Sequence, residues 1–134
     1  SPRYLERVGV PETIDDLLRQ GHRMVHYMRN FGARPDGWQY PDGDGYRSVM
    51  LPGAARVNSV PAYHEAGLAG LGLIQGGYSA LAPHIQRGAL VEVLPHLPPE
   101  PLNAAFVVAH RRNLSQRVRA FMHWTEVILK PYFD

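Results

Sequence analysis

With 134 residues, 45% of them hydrophobic and 19% charged, the chain has the length for one cored domain, or for one domain and part of another, and is too apolar to stay disordered. Cysteine is absent, which excludes disulfides, zinc–thiolate centres and thiol nucleophiles and fits a reducing cytoplasm. The formal charge is only +2 and the fourteen basic residues, all but one arginine, are scattered, so no nucleic-acid-binding face is read from charge.

The elements follow in chain order. Tyr4 to Val8 reads as a short helix closed by Gly9. Thr13 then caps a second helix, with Asp15 and Asp16 in its first turn where the helix dipole favours acids. Leu17 and Leu18 supply its apolar side, and Gly21 stops it. Arg23 to Arg29 is expected as a strand, and a turn-rich stretch runs from Gly32 to Gly37. Trp38 to Tyr40 and Tyr46 to Leu51 are expected as strands joined through Pro41-Asp42-Gly43-Asp44-Gly45 as a hairpin.

Ala55 to Asn58 is a further strand, leading into a helix over Val60 to Leu71. Its small residues Ala66, Gly67, Ala69 and Gly70 point to close packing against a sheet, since glycine costs roughly 1 kcal/mol in a helix. A buried strand Leu73-Ile74-Gln75, a helix Tyr78 to Gln86 stopped by Gly88, and a strand Leu90 to Leu94 come next. After the proline-rich connection Pro95 to Pro101, Leu102 to Ala109 is expected as a strand buried on both faces. Ser115 caps a last helix whose stripe is Val118, Phe121, Met122, Thr125, Ile128 and Leu129.

Strands alternating with helices argue for an α/β fold with a mostly parallel sheet. The ending is awkward, because a lone strand–helix pair cannot bury both its faces. The organisation expected is therefore a complete domain of about one hundred residues plus a fragment of a second, with the fragment covered by another chain or displaced.

Chemical motifs are few. Asn58-Ser59 before a helix puts a strand end and free helix N–H groups together, a ready anion site; taken locally Ser59 reads more readily as a plain cap, and Pro61 removes one donor. Asp42-Gly43-Asp44-Gly45 opens like a calcium loop but fails at its later positions, Gly53 standing where the bidentate glutamate belongs, so it reads as a turn. His22 and His26 are four apart, a spacing that serves a metal only on a helix, and no third ligand is near. Ser48, Ser59, Ser79 and Ser115 lie in no nucleophile elbow. Gly70-Leu71-Gly72 with Gly76-Gly77 runs from helix to strand, the reverse of a dinucleotide fingerprint. The cluster Arg111, Arg112, Arg117 and Arg119 reads as a solvated loop and helix face. No catalytic residue, metal or cofactor is expected. No apolar run approaches the roughly 18–20 residues of a membrane span, and Ser1-Pro2-Arg3-Tyr4 is no signal peptide.

Taken in order, several segments resemble the C-terminal effector-binding domain of LysR-type transcription regulators. Ser1-Pro2-Arg3-Tyr4-Leu5-Glu6-Arg7 with Gly9 is similar to that family's "SPxYLxxxG", and Thr13-Ile14-Asp15-Asp16-Leu17 to the helix that follows. Trp38-Gln39-Tyr40 is similar to its "WxF" strand. Val57-Asn58-Ser59 through Ala66-Gly67-Leu68-Ala69-Gly70-Leu71-Gly72-Leu73 resembles "VN" plus a small polar residue, then "AxxAGLGI". Gly88-Ala89-Leu90-Val91-Glu92-Val93-Leu94-Pro95 resembles "GxLVxVLP", and His110 to Phe121 resembles "HRRxLSxKVRAF". A departure lies after Gln75, where the family often has proline and this chain has Gly77.

The resemblance implies a two-lobed α/β fold like type-2 periplasmic binding proteins, with a small-molecule effector in the cleft between lobes. Residues 1–100 would be one complete second lobe, and 101–134 the C-terminal strand and helix of the first. The N-terminal winged helix-turn-helix would be missing, so DNA would be bound only through that absent part. Asn58, Ser59 and Val60 carry over as effector contacts, followed by Gln75 and Gly76; His26 and Asn103 join them from strand-end position. A cytoplasmic homo-oligomer, dimer or tetramer, is implied, with no membrane contact. A solute-binding protein of a transport system would share the fold.

Overall fold

The computed structural model describes residues 1–30, 32–102, 105–108 and 114–132. The chain divides into two compact units, Ser1–Pro101 and Leu102–Asp134. The first opens with α1 (Pro2–Val8), where Pro2 sits in the first turn and costs no hydrogen bond. Helix α2 (Ile14–Arg19) is set by a reciprocal cap: the Asp16 N–H donates to Thr13 Oγ1 at 3.2 Å and the Thr13 N–H donates to Asp16 Oδ2 at 3.0 Å. The Arg19 guanidinium also contacts Asp16. Together these partners hold the buried carboxyl down at about 2.

Strand β1 (Met24–Tyr27) pairs in parallel with β4 (Gly53–Val57), Tyr27 lying opposite Val57. On the other edge of β1, the backbone meets Leu73 in a single parallel bridge, with Val25 N–H donating to Leu73 O and Leu73 N–H to Arg23 O, both at 2.9 Å. Between them, β2 (Trp38–Asp42) and β3 (Gly45–Val49) form an antiparallel hairpin. Asp42 and Gly45 are its last pair, so the calcium-like run is a hairpin turn. Helix α3 (Val60–Leu68) follows β4, and α4 (Tyr78–Gln86) comes next.

Strand β1 sends alternate side chains to two cores, the period of two that any strand imposes. Met24 joins Tyr4, Leu5, Leu17, Trp38, Leu51, Leu73 and Leu94. Val25, on the opposite face, joins Tyr63 and Ala66 of α3, with Ala55, Val57 and Ile74 against them. This double burial explains why the adjacent Met24 and Val25, on opposite faces, are both apolar. The small residues of α3 allow the approach: a Cβ on Gly67 would sit 2.6 Å from Ile74 Cδ1.

Three expected strands differ from what is found. Leu73-Ile74-Gln75 is reduced to the one bridge at Leu73, because the Gln75 N–H is taken by the Tyr63 hydroxyl at 2.8 Å and not by a strand. Leu90 to Leu94 forms no strand; Leu90 and Leu94 are buried, but the backbone turns left-handed at Leu94 (φ 53°) just before Pro95. Within Leu102 to Ala109, the described residues 102 and 105–108 are not in a strand, and Val107 is 97% exposed. A strand needs a neighbour's backbone to pair with, and this segment has none among the described residues.

The second unit holds α5 (Gln116–Leu129), continued by a 3-10 turn Lys130–Tyr132. Ser115 caps it as expected, its Oγ accepting from Val118 N–H at 3.4 Å. No residue of α5 is buried, and Phe121, Trp124 and Val127 are exposed.

Candidate functional site

Strands β1 and β4 run parallel, so their C-terminal ends lie together, and the chain leaves each through a polar loop. In open parallel sheets this edge is where ligands are held, because loops and helix N-termini converge there. Beyond β1 the loop encloses an open cleft of about 320 Å³, lined by Tyr27, Met28, Arg29, Asn30, Ala33, Arg34, Asp36 and Gln39. The Met28 N–H donates to Val57 O at 2.7 Å, which ties the start of this loop to the end of β4.

Asn58, Ser59 and Val60 stand directly after β4 and are all exposed. Ser59 caps α3, its Oγ accepting from Ala62 N–H at 3.5 Å while its carbonyl accepts from Tyr63 N–H at 2.9 Å. With Pro61 lacking a donor, the cap leaves Val60 N–H as the one uncommitted amide among the first three helical positions. A full anion clamp is not formed by this helix end alone.

Gln75 is placed differently from a free ligand contact. Its Oε1 accepts from the Gln39 N–H at 2.9 Å and its Nε2 donates to the Gln39 carbonyl at 2.8 Å. The amide thus completes the backbone of β2 as a neighbouring strand would. Its own carbonyl accepts from the Tyr63 hydroxyl at 3.2 Å, and burial pushes that phenol's pKa up. Tyr63 in turn packs edge-on against Tyr27, ring centres 5.8 Å apart. A relay Tyr27–Tyr63–Gln75–Gln39 therefore runs behind the cleft and joins two of its lining residues. Gly76 is exposed, with Leu81 Cδ1 3.7 Å from where a Cβ would stand.

His26 is the third residue of β1, 4% exposed, and does not line this cleft. Its ring lies over Gly53, where a Cβ would be 2.7 Å from Cδ2, and its Nδ1 has no hydrogen-bond partner among the described residues. Burial pushes its pKa below the ordinary value, and nearby Arg56 acts the same way against a Leu51 backbone hydrogen bond. Asn103 lies outside the described residues. The cleft residues Tyr27, Arg29, Asn30, Arg34, Asp36 and Gln39 were not singled out from sequence; the signal available was a polar, doubly basic loop leaving a buried strand. No group of three or more potential metal-ligating side chains occurs among the described residues.

Comparison with known proteins decides the family, since the LysR substrate binding domain matches residues 1–127. The chain belongs to the LysR substrate-binding domain family. Such a domain is the effector-sensing part of LysR-type transcription regulators. The chain is 40% identical over its whole length to the uncharacterized HTH-type transcriptional regulator YhjC of Escherichia coli, of which it spans 44%. It is 31% identical to an HTH-type transcriptional regulator of Xanthomonas campestris over all of this chain and 38% of that protein. An HTH-type transcriptional repressor of Pseudomonas aeruginosa is 28% identical over 92% of this LysR substrate-binding domain and 38% of its own length. The domain thus spans less than half the length of each of these relatives.

Proposed function

We propose that this LysR substrate-binding domain senses a small-molecule effector at the C-terminal edge of β1 and β4. The contacts come from the cleft that follows β1, from Asn58, Ser59 and Val60 at the start of α3, and from Gly76. Gln75 acts as a buttress of the cleft wall. The observation that carries this reading is the open cleft at the end of the parallel pair, where α/β sheets hold ligands.

In the finer reading, residues 1–100 form one lobe of a two-lobed fold like that of type-2 periplasmic binding proteins. Residues 101–134 belong to the other lobe. The intact protein is a cytoplasmic transcription regulator, a dimer or tetramer that binds DNA through a winged helix-turn-helix elsewhere in its chain. It catalyses nothing: effector binding favours one arrangement of the regulator over another and so alters DNA occupancy. The names of the relatives, HTH-type transcriptional regulators and a repressor, support this reading over a transport protein of the same fold.

The test is a reporter assay with the full-length regulator carrying Asn58→Ala or Ser59→Ala. The expected outcome is an effector titration shifted several-fold, with basal operator binding unchanged. An unchanged titration counts against the site.

A further inference from the structure

The cleft at the end of β1 carries a charge pattern as well as a position. Among the described residues its charged lining is Arg29, Arg34 and Asp36, all exposed to solvent. Among the described residues the salt bridges are Arg19–Asp16 and Arg47–Asp42, so neither cleft arginine is committed to an ion pair there. Two guanidiniums against one carboxylate leave the lining net positive. At the Gln39 wall the backbone N–H and carbonyl are both consumed by Gln75. Gln39 therefore offers a ligand only its side chain, and the side chains of the lining supply two arginine forks, the Asn30 and Gln39 amides, one aspartate and the Tyr27 ring.

Resting on the reading of this cleft as the effector site, we infer that the effector is a small organic acid bearing a second group that donates a hydrogen bond. Guanidinium forks match a carboxylate in shape and charge, and bind it through paired N–H donors. Asp36 repels a further anionic group but accepts from a hydroxyl or an ammonium. Hydroxy acids and amino acids carry the two halves on separate atoms, whereas inorganic phosphate carries its charge and its P–OH donor on one small tetrahedral centre and amides lack the anion. A cleft of about 320 Å³ stands at the low end of the roughly 300–1,000 Å³ of ligand pockets, which suits a compact molecule.

The experiment is calorimetric titration of the full-length regulator with a panel of short hydroxy acids and amino acids, their amides, which lack the carboxylate, and inorganic phosphate. At least one acid is expected to bind, with its amide at least tenfold weaker and affinity falling as salt is raised, since the cleft is open to solvent. Arg29→Gln and Arg34→Gln should each weaken that acid by about tenfold or more, while thermal midpoints stay close to that of the parent. Asp36→Asn should narrow the preference for the hydroxy or amino acid over the plain acid. The inference is overturned if no acid of the panel binds, if phosphate binds as well as the acids, or if the arginine variants bind an acid as the parent does. A neutral inducer whose effect survives both arginine variants but is lost in Asn58→Ala would refute the acid and leave the site standing. Survival in all three variants would refute both.

Discussion

Gln75 shows how one side chain can fix a ligand wall without touching the ligand. Both ends of its amide pair with the Gln39 backbone, and its own backbone is held by Tyr63. Removing the amide leaves two half-buried backbone groups unpaired, at a cost of roughly 1–3 kcal/mol. Gln75→Ala should therefore lower the unfolding midpoint and speed hydrogen exchange at the Gln39 amide; unchanged protection there would show that the bridge contributes nothing. Thr13 as a cap was legible in the sequence because its partners lie within three residues. The Gln75 bridge spans thirty-six, and no local pattern announces it. From its place toward the end of the expected strand Arg23 to Arg29, His26 reads as a contact; in the structure its ring is enclosed over Gly53 and does not line the cleft.

At the scale of elements, the connection from α3 back to β1 leaves no room for a side chain at Gly72. A Cβ on Gly72 would stand 2.7 Å from the Arg23 carbonyl oxygen, a backbone atom that cannot move without breaking the bridge at Leu73. Gly72→Ala should destabilise by roughly 1–3 kcal/mol, whereas Gly76→Ala, meeting only Leu81 at 3.7 Å, should stay within about 0.5 kcal/mol. Urea unfolding of the two variants checks this, and equal midpoints would contradict it. The helices, the hairpin and the β1–β4 strands were legible because each combines a cap or turn residue with a matching period. Leu90 to Leu94 was not, since buried leucines report packing and say nothing of whether the backbone has a partner. The loop after β1 read as mere turns for the converse reason: a cleft is made by what encloses it, and Gln39 lies ten residues beyond Arg29.

For the whole molecule, three enclosed ionisable groups give folding a common response to acid. His22 is fully buried; its Nε2 meets Gln20 Oε1 at 3.0 Å and its Nδ1 meets the Tyr4 hydroxyl at 3.2 Å, a pattern that suits the neutral ring with the proton on Nε2. Burial holds the pKa values of His22 and His26 below the ordinary 6.5, with Asp16 pulling His22 the other way. The unfolded chain therefore takes up protons that the folded chain refuses, so stability is full above about pH 6.5 and is lost as the pH falls through the folded values. Asp16 adds a second loss between the ordinary 3.8 and about 2. Urea midpoints should fall from pH 7.5 to 5.5, and less steeply in His22→Gln; a flat or rising profile would contradict the assignment. The central claim, that the effector is sensed where β1 and β4 end, is tested most directly by hydrogen exchange on the full-length regulator with and without its inducing compound. Protection should rise over residues 28–39 and 58–63. Protection confined to α1, α2 or α5, with those segments unchanged, would contradict it.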